Sequence, residues 1–131
     1  MEDSPRYDFP AISDGDERRA GPTLDEARFG DTVFQEETLY QDTGGDWKKG
    51  DRGDAIGTVT LTQSPTTVSG RILVRAWFVF DNGETVEYSG LVPGDGSWQG
   101  KGRFGYQGGT GKFADRRGQL DVESTNPKRW G

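Results

Sequence analysis

The chain has 131 residues, enough for one domain, with 21 Gly, no Cys, no His and a formal net charge of −6. The lack of Cys and His excludes a disulfide framework, a thiol nucleophile, an imidazole base and an ordinary zinc site. Acid–base work would fall to Asp, Glu, Tyr, Lys or bound water, and no cofactor is expected. The charge is uneven: residues 1–31 hold nine acids against four Arg, whereas 32–131 hold 13 acids against 12 bases. An acidic arm on a near-neutral domain offers no phosphate-binding footprint, which argues against a nucleic-acid partner. The longest apolar stretch, Ala76–Phe80, is strand length, and no signal peptide is evident, so the expectation is a cytoplasmic protein with no membrane association.

Residues 1–31 are polar and broken by Pro5, Pro10 and Pro22, and read as a flexible arm outside the core. Thr23-Leu24-Asp25-Glu26 fits a capping box and predicts a helical turn near Leu24–Arg28. Two readings of the arm stay open. It is a floppy terminus, or a lid in which Tyr7, Phe9, Ile12, Leu24 and Phe29 close over a cavity mouth.

From Thr32 to the end, residues 32–131, the pattern has period two with turn residues between the runs. The runs are Thr32–Gln41, Ala55–Gln63, Gly70–Asp81, Glu84–Val92, Trp98–Tyr106 and Gly118–Ser124. Their β-branched and aromatic content suits strands. Asp81-Asn82-Gly83 predicts a type I′ hairpin turn, Val92–Gly96 a second reversal, and Gln107–Lys112 a glycine-rich link. A meander of this length must bury one face and protect its edges, and closing into a barrel does both. The glycines at 90, 100, 102, 105 and 118 suit the bends of a small barrel. The predicted fold is all-β, a small closed antiparallel barrel, with a β-sandwich as the alternative.

Several motifs imitate chemistry. Gly100-Lys101-Gly102-Arg103-Phe104-Gly105 matches a dinucleotide fingerprint but lies in a strand with no following helix. Gly105–Phe113 resembles a phosphate loop, yet Tyr106 stands where its first Gly belongs and Phe113 where a Ser or Thr should hold Mg²⁺. Arg52-Gly53-Asp54 spells an adhesion tripeptide of a length that arises by chance. Asp14-Gly15-Asp16 is followed by Arg18 and Arg19, where a calcium loop needs oxygen ligands.

One constellation carries more weight. In Phe34-Gln35-Glu36-Glu37-Thr38-Leu39-Tyr40 the two acids are adjacent, so strand alternation sends one inward and one outward. The inward one loses its hydration, an environment suited to a general acid or hydrogen-bond donor. Alternatively both are solvated, or one pairs with Arg71, Arg75 or Arg103. Which of Glu36 and Glu37 faces inward is open at this level. Tyr88 and Tyr106 are the accompanying candidate catalytic groups. Phe34, Tyr40, Trp77, Val79, Trp98 and Phe104 are the candidate lining of an apolar pocket. Asp121 and Glu123 alternate with Leu120 and Val122, either as outer-face charges or as further cavity acids. Trp130 is expected to pack against the barrel.

Gly108-Gly109-Thr110-Gly111-Lys112-Phe113-Ala114, followed by Arg117-Gly118, resembles the GGTGKF…RG segment of dirigent proteins and the GGSGIF segment of allene oxide cyclases. Phe34–Tyr40 followed by Ile56-Gly57 is similar to their opening strand, and Phe78–Gly83 leading to Gly90 to their central hairpin. Together these cover most of residues 32–124. The resemblance implies a calycin-like barrel of about eight strands, two more than the runs above. Among bacterial relatives it points to spirotetronate cyclases, which close polyketide rings by intramolecular [4+2] addition. It implies a cofactor-independent cyclase acting on a hydrophobic small molecule in natural-product biosynthesis, with Glu36 or Glu37 and Tyr88 or Tyr106 orienting a carbonyl. A hydrophobic-ligand carrier and a dirigent-like stereochemical guide are the rival expectations. A homodimer formed through an outer face is also expected.

Overall fold

The computed structural model describes residues 5–13, 18–20, 27–66, 71–93, 101–123 and 127–131. Nine strands are described: β1 (Ala11–Ser13), β2 (Arg18–Ala20), β3 (Val33–Gln41), β4 (Ala55–Pro65), β5 (Arg71–Phe80), β6 (Thr85–Pro93), β7 (Lys101–Gly109), β8 (Gln119–Glu123) and β9 (Lys128–Trp130). β3 to β9 form an antiparallel meander. β1 then pairs with both β9 and β3, so eight strands close into a ring. β2 continues along β3 beyond β1, with Arg18 opposite Glu36 and Ala20 opposite Phe34. Among the described residues there is no α-helix, only two short 3-10 turns at Trp47–Lys49 and Gly111–Phe113. The barrel expected from the sequence is therefore present.

The arm departs from expectation. β1 lies within residues 1–31 and completes the ring, and Ala11 and Ile12 are fully buried. The preceding Phe9 also enters the core, through a cis Phe9–Pro10 peptide. Residues 11–13 are a structural strand because β3 and β9 each leave an edge that only another strand can satisfy. The capping-box sequence Thr23–Glu26 lies outside the described residues.

Register sets the inner face. Val59 pairs with Phe78, Leu61 with Ala76 and Gln63 with Val74. Ala76 pairs with Tyr88, and Phe104 with Leu120. These residues are buried, as are Ile72, Phe80, Val122 and Trp130. Gly57 and Gly90 let strands approach closely. A Cβ on Gly57 would meet the Val79 carbonyl, and one on Gly90 would lie 2.6 Å from the Arg103 carbonyl oxygen.

The Asp81–Gly83 reversal is a three-residue loop. Gly83 N–H donates to the Phe80 carbonyl, Phe80 N–H donates to the Glu84 carbonyl, and Gly83 sits at φ 92°. The expected two-residue type I′ turn is replaced because Gly83 supplies the left-handed residue that follows the turn proper. The glycine-rich segment also differs: β7 runs on through Gly109, and the link begins only at Thr110.

Candidate functional site

The barrel interior is built of two unlike halves. At one end are rings. Phe9 lies edge-on to Phe78 (centroids 4.9 Å apart), Phe80 (5.8 Å) and Tyr88 (5.9 Å). Phe80 stacks on Phe113 at 5.3 Å. Edge-to-face contacts of this kind suit ring quadrupoles and fill space densely. Trp130 forms the floor of this layer, 5.1 Å from Phe78 and 6.0 Å from Phe104.

Beyond Trp130 the interior turns polar. The Trp130 indole Nε1–H donates to Ser13 Oγ at 3.0 Å. Ser13 donates to Glu37 Oε1 at 2.6 Å, and Lys128 Nζ donates to Glu37 Oε2 at 2.7 Å. Glu37 is 0% exposed and Lys128 4%. One layer further, Gln63 Nε2 donates to Gln35 Oε1. The Ser13–Glu37–Lys128 cluster is assembled by closure itself. Ser13 comes from β1, opposite Leu39 of β3 and Lys128 of β9, so three strands meeting at the seam each contribute one member. Taking two charges out of water costs several kcal/mol per ion, which such geometry offsets only in part.

Structure thus separates the paired acids. Glu37 shares the inner face with Val33 and Leu39, and Glu36 faces outward with Phe34 and Tyr40. Both Glu37 oxygens accept hydrogen bonds, so in this geometry the group is an acceptor rather than the proton donor expected. Its partner is Lys128, not Arg71, Arg75 or Arg103.

Tyr88 and Phe104 face inward as expected. Burial pushes the Tyr88 hydroxyl above its usual range, against the opposing influence of the nearby Arg116 guanidinium. Tyr106 packs on Tyr88 (5.9 Å), and its hydroxyl reaches the carbonyls of Phe113 (2.6 Å) and Ala114 (2.9 Å), which pins the 3-10 turn.

Four expected lining residues are placed elsewhere. Phe34 (47% exposed) and Val79 (46%) lie on the outer surface. Trp77 is half-buried on that same face, its indole N–H donating to Glu87 Oε1 at 2.6 Å. Tyr40 is stacked under Arg52, 3.7 Å from the ring centroid. The cause is parity: β5 turns Ile72, Val74, Ala76, Phe78 and Phe80 inward, so Trp77 and Val79 must point out. Trp98 lies outside the described residues. Asp121 is on the outer face, paired with Arg103 at 3.0 Å.

The aromatic end is capped by the arm. Asp8 forms a two-pronged ion pair with Arg116, 2.8 Å from Nη1 and 3.0 Å from Nη2, and Lys112 lies 3.8 Å away. Burial alone would raise the Asp8 pKa. Hydrogen bonds from Arg116 and from Phe9 N–H, with the nearby positive charge, instead hold it below the ordinary carboxylate range. Beside this cap is a pocket of about 320 Å³ lined by Phe9, Tyr88, Arg116, Arg117 and Gln119 among others. The segment that imitates a phosphate loop wraps an internal anion instead: Lys112 N–H donates to Glu84 Oε2 at 2.6 Å.

Sequence reading missed Ser13, Lys128 and Arg116 as site residues. Lys128 and Ser13 were recoverable only by recognising strands of three residues. Among the described residues, no three side chains that could ligate a metal cluster together. Comparison of the chain with protein-family models, with curated proteins and with solved structures returns no match.

Proposed function

We propose that the barrel is a cofactor-independent cyclase that holds an apolar, polyketide-like substrate folded in its interior for intramolecular ring closure of the [4+2] type. The observation that carries this reading is the buried Trp130–Ser13–Glu37–Lys128 chain in the barrel interior, beneath the aromatic layer. A fold gains nothing in stability from such a cluster that well-packed aliphatic residues would not supply. Across Trp130 from the aromatic layer, this buried charged pair is the kind of group that can polarise one end of an apolar guest.

The chemistry is economical. The two π bonds of a diene and the π bond of an alkene in the same molecule become two σ bonds and one new π bond, and no atom is gained or lost. Holding the reacting ends together contributes up to about 7–11 kcal/mol without covalent catalysis. Lys128, oriented by Glu37, is the donor suited to a carbonyl conjugated with the alkene, where charge grows in the transition state. Tyr88 and Phe104 shape the walls. The aromatic half is occupied here by Phe9, a buried ring that lies outside the described strands and 3-10 turns. Its withdrawal makes room for a guest without opening the ring of strands.

Steady-state turnover of a linear precursor tests the proposal. One stereoisomer at catalytic ratios is the expected outcome, with Lys128→Met reducing kcat more than KM. A second reading, a carrier, is favoured by the engagement of both Glu37 oxygens within the protein. Saturable binding with the ligand returned unchanged would establish the carrier and exclude the cyclase.

A further inference from the structure

Asp8 and Phe9 together make an unusual pair of contacts. The Asp8 carboxylate takes both terminal nitrogens of Arg116. The adjoining Phe9 ring is 8% exposed and sits among Phe78, Phe80, Tyr88 and Phe113. One dipeptide therefore places an anion on a fixed guanidinium and, next to it, a planar apolar body in an aromatic chamber. Neither group comes from a strand, and the pocket beside them is lined by Arg116, Arg117 and Tyr88. We propose that this end of the barrel is a binding site for an amphiphilic anion, an acidic group attached to a planar apolar body, and that Asp8-Phe9 occupies it in cis as a stand-in.

The site follows from its chemistry. A planar guanidinium binds a carboxylate or similar oxyanion through two parallel hydrogen bonds, which fixes direction as well as charge. The two bonds to Asp8 hold Arg116 at the chamber rim, where it lines the same pocket as Tyr88. Arg117 adds a second positive group on the pocket wall. Among the described residues, the acids that form ion pairs with Arg116 and Lys112 are Asp8 and Glu84, and Glu84 is held by Lys112 N–H and Asn82. Asp8 is thus the anion an incoming acid must replace, and Phe9 the ring. The inference rests on the reading that a guest displaces Phe9, and adds that the guest carries an acid at this end.

Two fluorescent probes of nearly the same shape test it on the full chain. Anilinonaphthalene sulfonate carries the acid, and N-phenylnaphthylamine is its neutral counterpart. Asp8→Asn frees Arg116 and should tighten the sulfonate on the order of tenfold while changing the neutral probe little, the value of one charge-assisted contact. Phe9→Ala opens the chamber but keeps the ion pair, and should favour the neutral probe. Arg116→Gln should abolish the sulfonate's advantage in the Asp8→Asn background. This crossover in selectivity separates a specific site from a loosened fold, which takes up both probes alike. If both probes bind Phe9→Ala but Asp8→Asn and Arg116→Gln leave their ratio unchanged, the acidic site is wrong and the apolar-guest reading survives. If neither probe binds Phe9→Ala, both are wrong.

Discussion

The most consequential residues are the two whose charges meet inside the barrel. Removing one partner leaves the other charge buried without compensation. Glu37→Gln or Lys128→Met should each cost about 3–5 kcal/mol in urea unfolding. Replacing both with apolar residues of similar size (Glu37→Leu with Lys128→Met) should restore most of that stability, because no charge is then left behind. If the double variant is as unstable as the sum of the singles, the pair is not coupled as drawn. The outer and inner aromatics offer a sharper contrast. Phe104→Ala should cost about 3–5 kcal/mol as a cavity in the core. Trp77→Phe, which loses only the half-buried bond to Glu87, should cost about 1 kcal/mol. Equal costs in thermal or urea unfolding would mean that the inner face of β5 is misassigned. The sequence held the signal for that face. Arg71, Arg75 and Asp81 share parity with Trp77 and Val79, and three charges on one side mark it as outer. Aromatic size drew attention to the wrong side. In β3 the signals conflict, since Phe34 and Tyr40 favour the Glu36 face and Val33 and Leu39 the Glu37 face. Only the pairing with β4, where Glu37 lies opposite Val59, decides it.

At the scale of elements, the six long runs were legible because each spans enough residues for alternation to show. The two strands that complete the ring, β1 and β9, have three residues each, too few to display a period. They are strands because their neighbours need partners, which is tertiary information. The consequence is a prediction about the arm. Deleting residues 1–31 removes β1 and leaves the edges of β3 and β9 bare, with Glu37 short of Ser13. That deletion should abolish cooperative unfolding and promote aggregation. Deleting only residues 1–9 removes the Asp8–Arg116 tie and the Phe9 ring while sparing β1. It should keep the far-ultraviolet circular dichroism of the barrel and lower the melting temperature. A cooperative monomer after the longer deletion, judged by calorimetry and gel filtration, would show that β1 is dispensable.

For the whole molecule, the seam is where pH should act first. Two acids below the ordinary range hold seam elements. Asp8 ties the arm to Arg116. Asp42, at the end of β3, ties it to Arg129 of β9 at 2.8 Å. Burial alone would raise the Asp42 pKa, but the Gly44 N–H and the Arg129 guanidinium together lower it. The folded state therefore binds these protons less tightly than the unfolded chain. Stability from both ties is fully present above the unfolded carboxylate value, about 4, and is lost as pH falls through the lower folded values. No such ion pair is described between the long strands β4, β5 and β6, which are joined by backbone ladders, apolar packing and the Trp77–Glu87 hydrogen bond. Acid should accordingly loosen the β1–β9–β3 seam before the meander. Hydrogen exchange should show amides of β1 and β9 losing protection at a higher pH than those of β5. Combining Asp8→Asn with Asp42→Asn should lower stability near neutrality and reduce the further loss on acidification. Were the wild type and this double variant to lose stability equally between about pH 6 and pH 3, the acid sensitivity would belong to other carboxylates, and the seam would be no weaker than the rest of the ring.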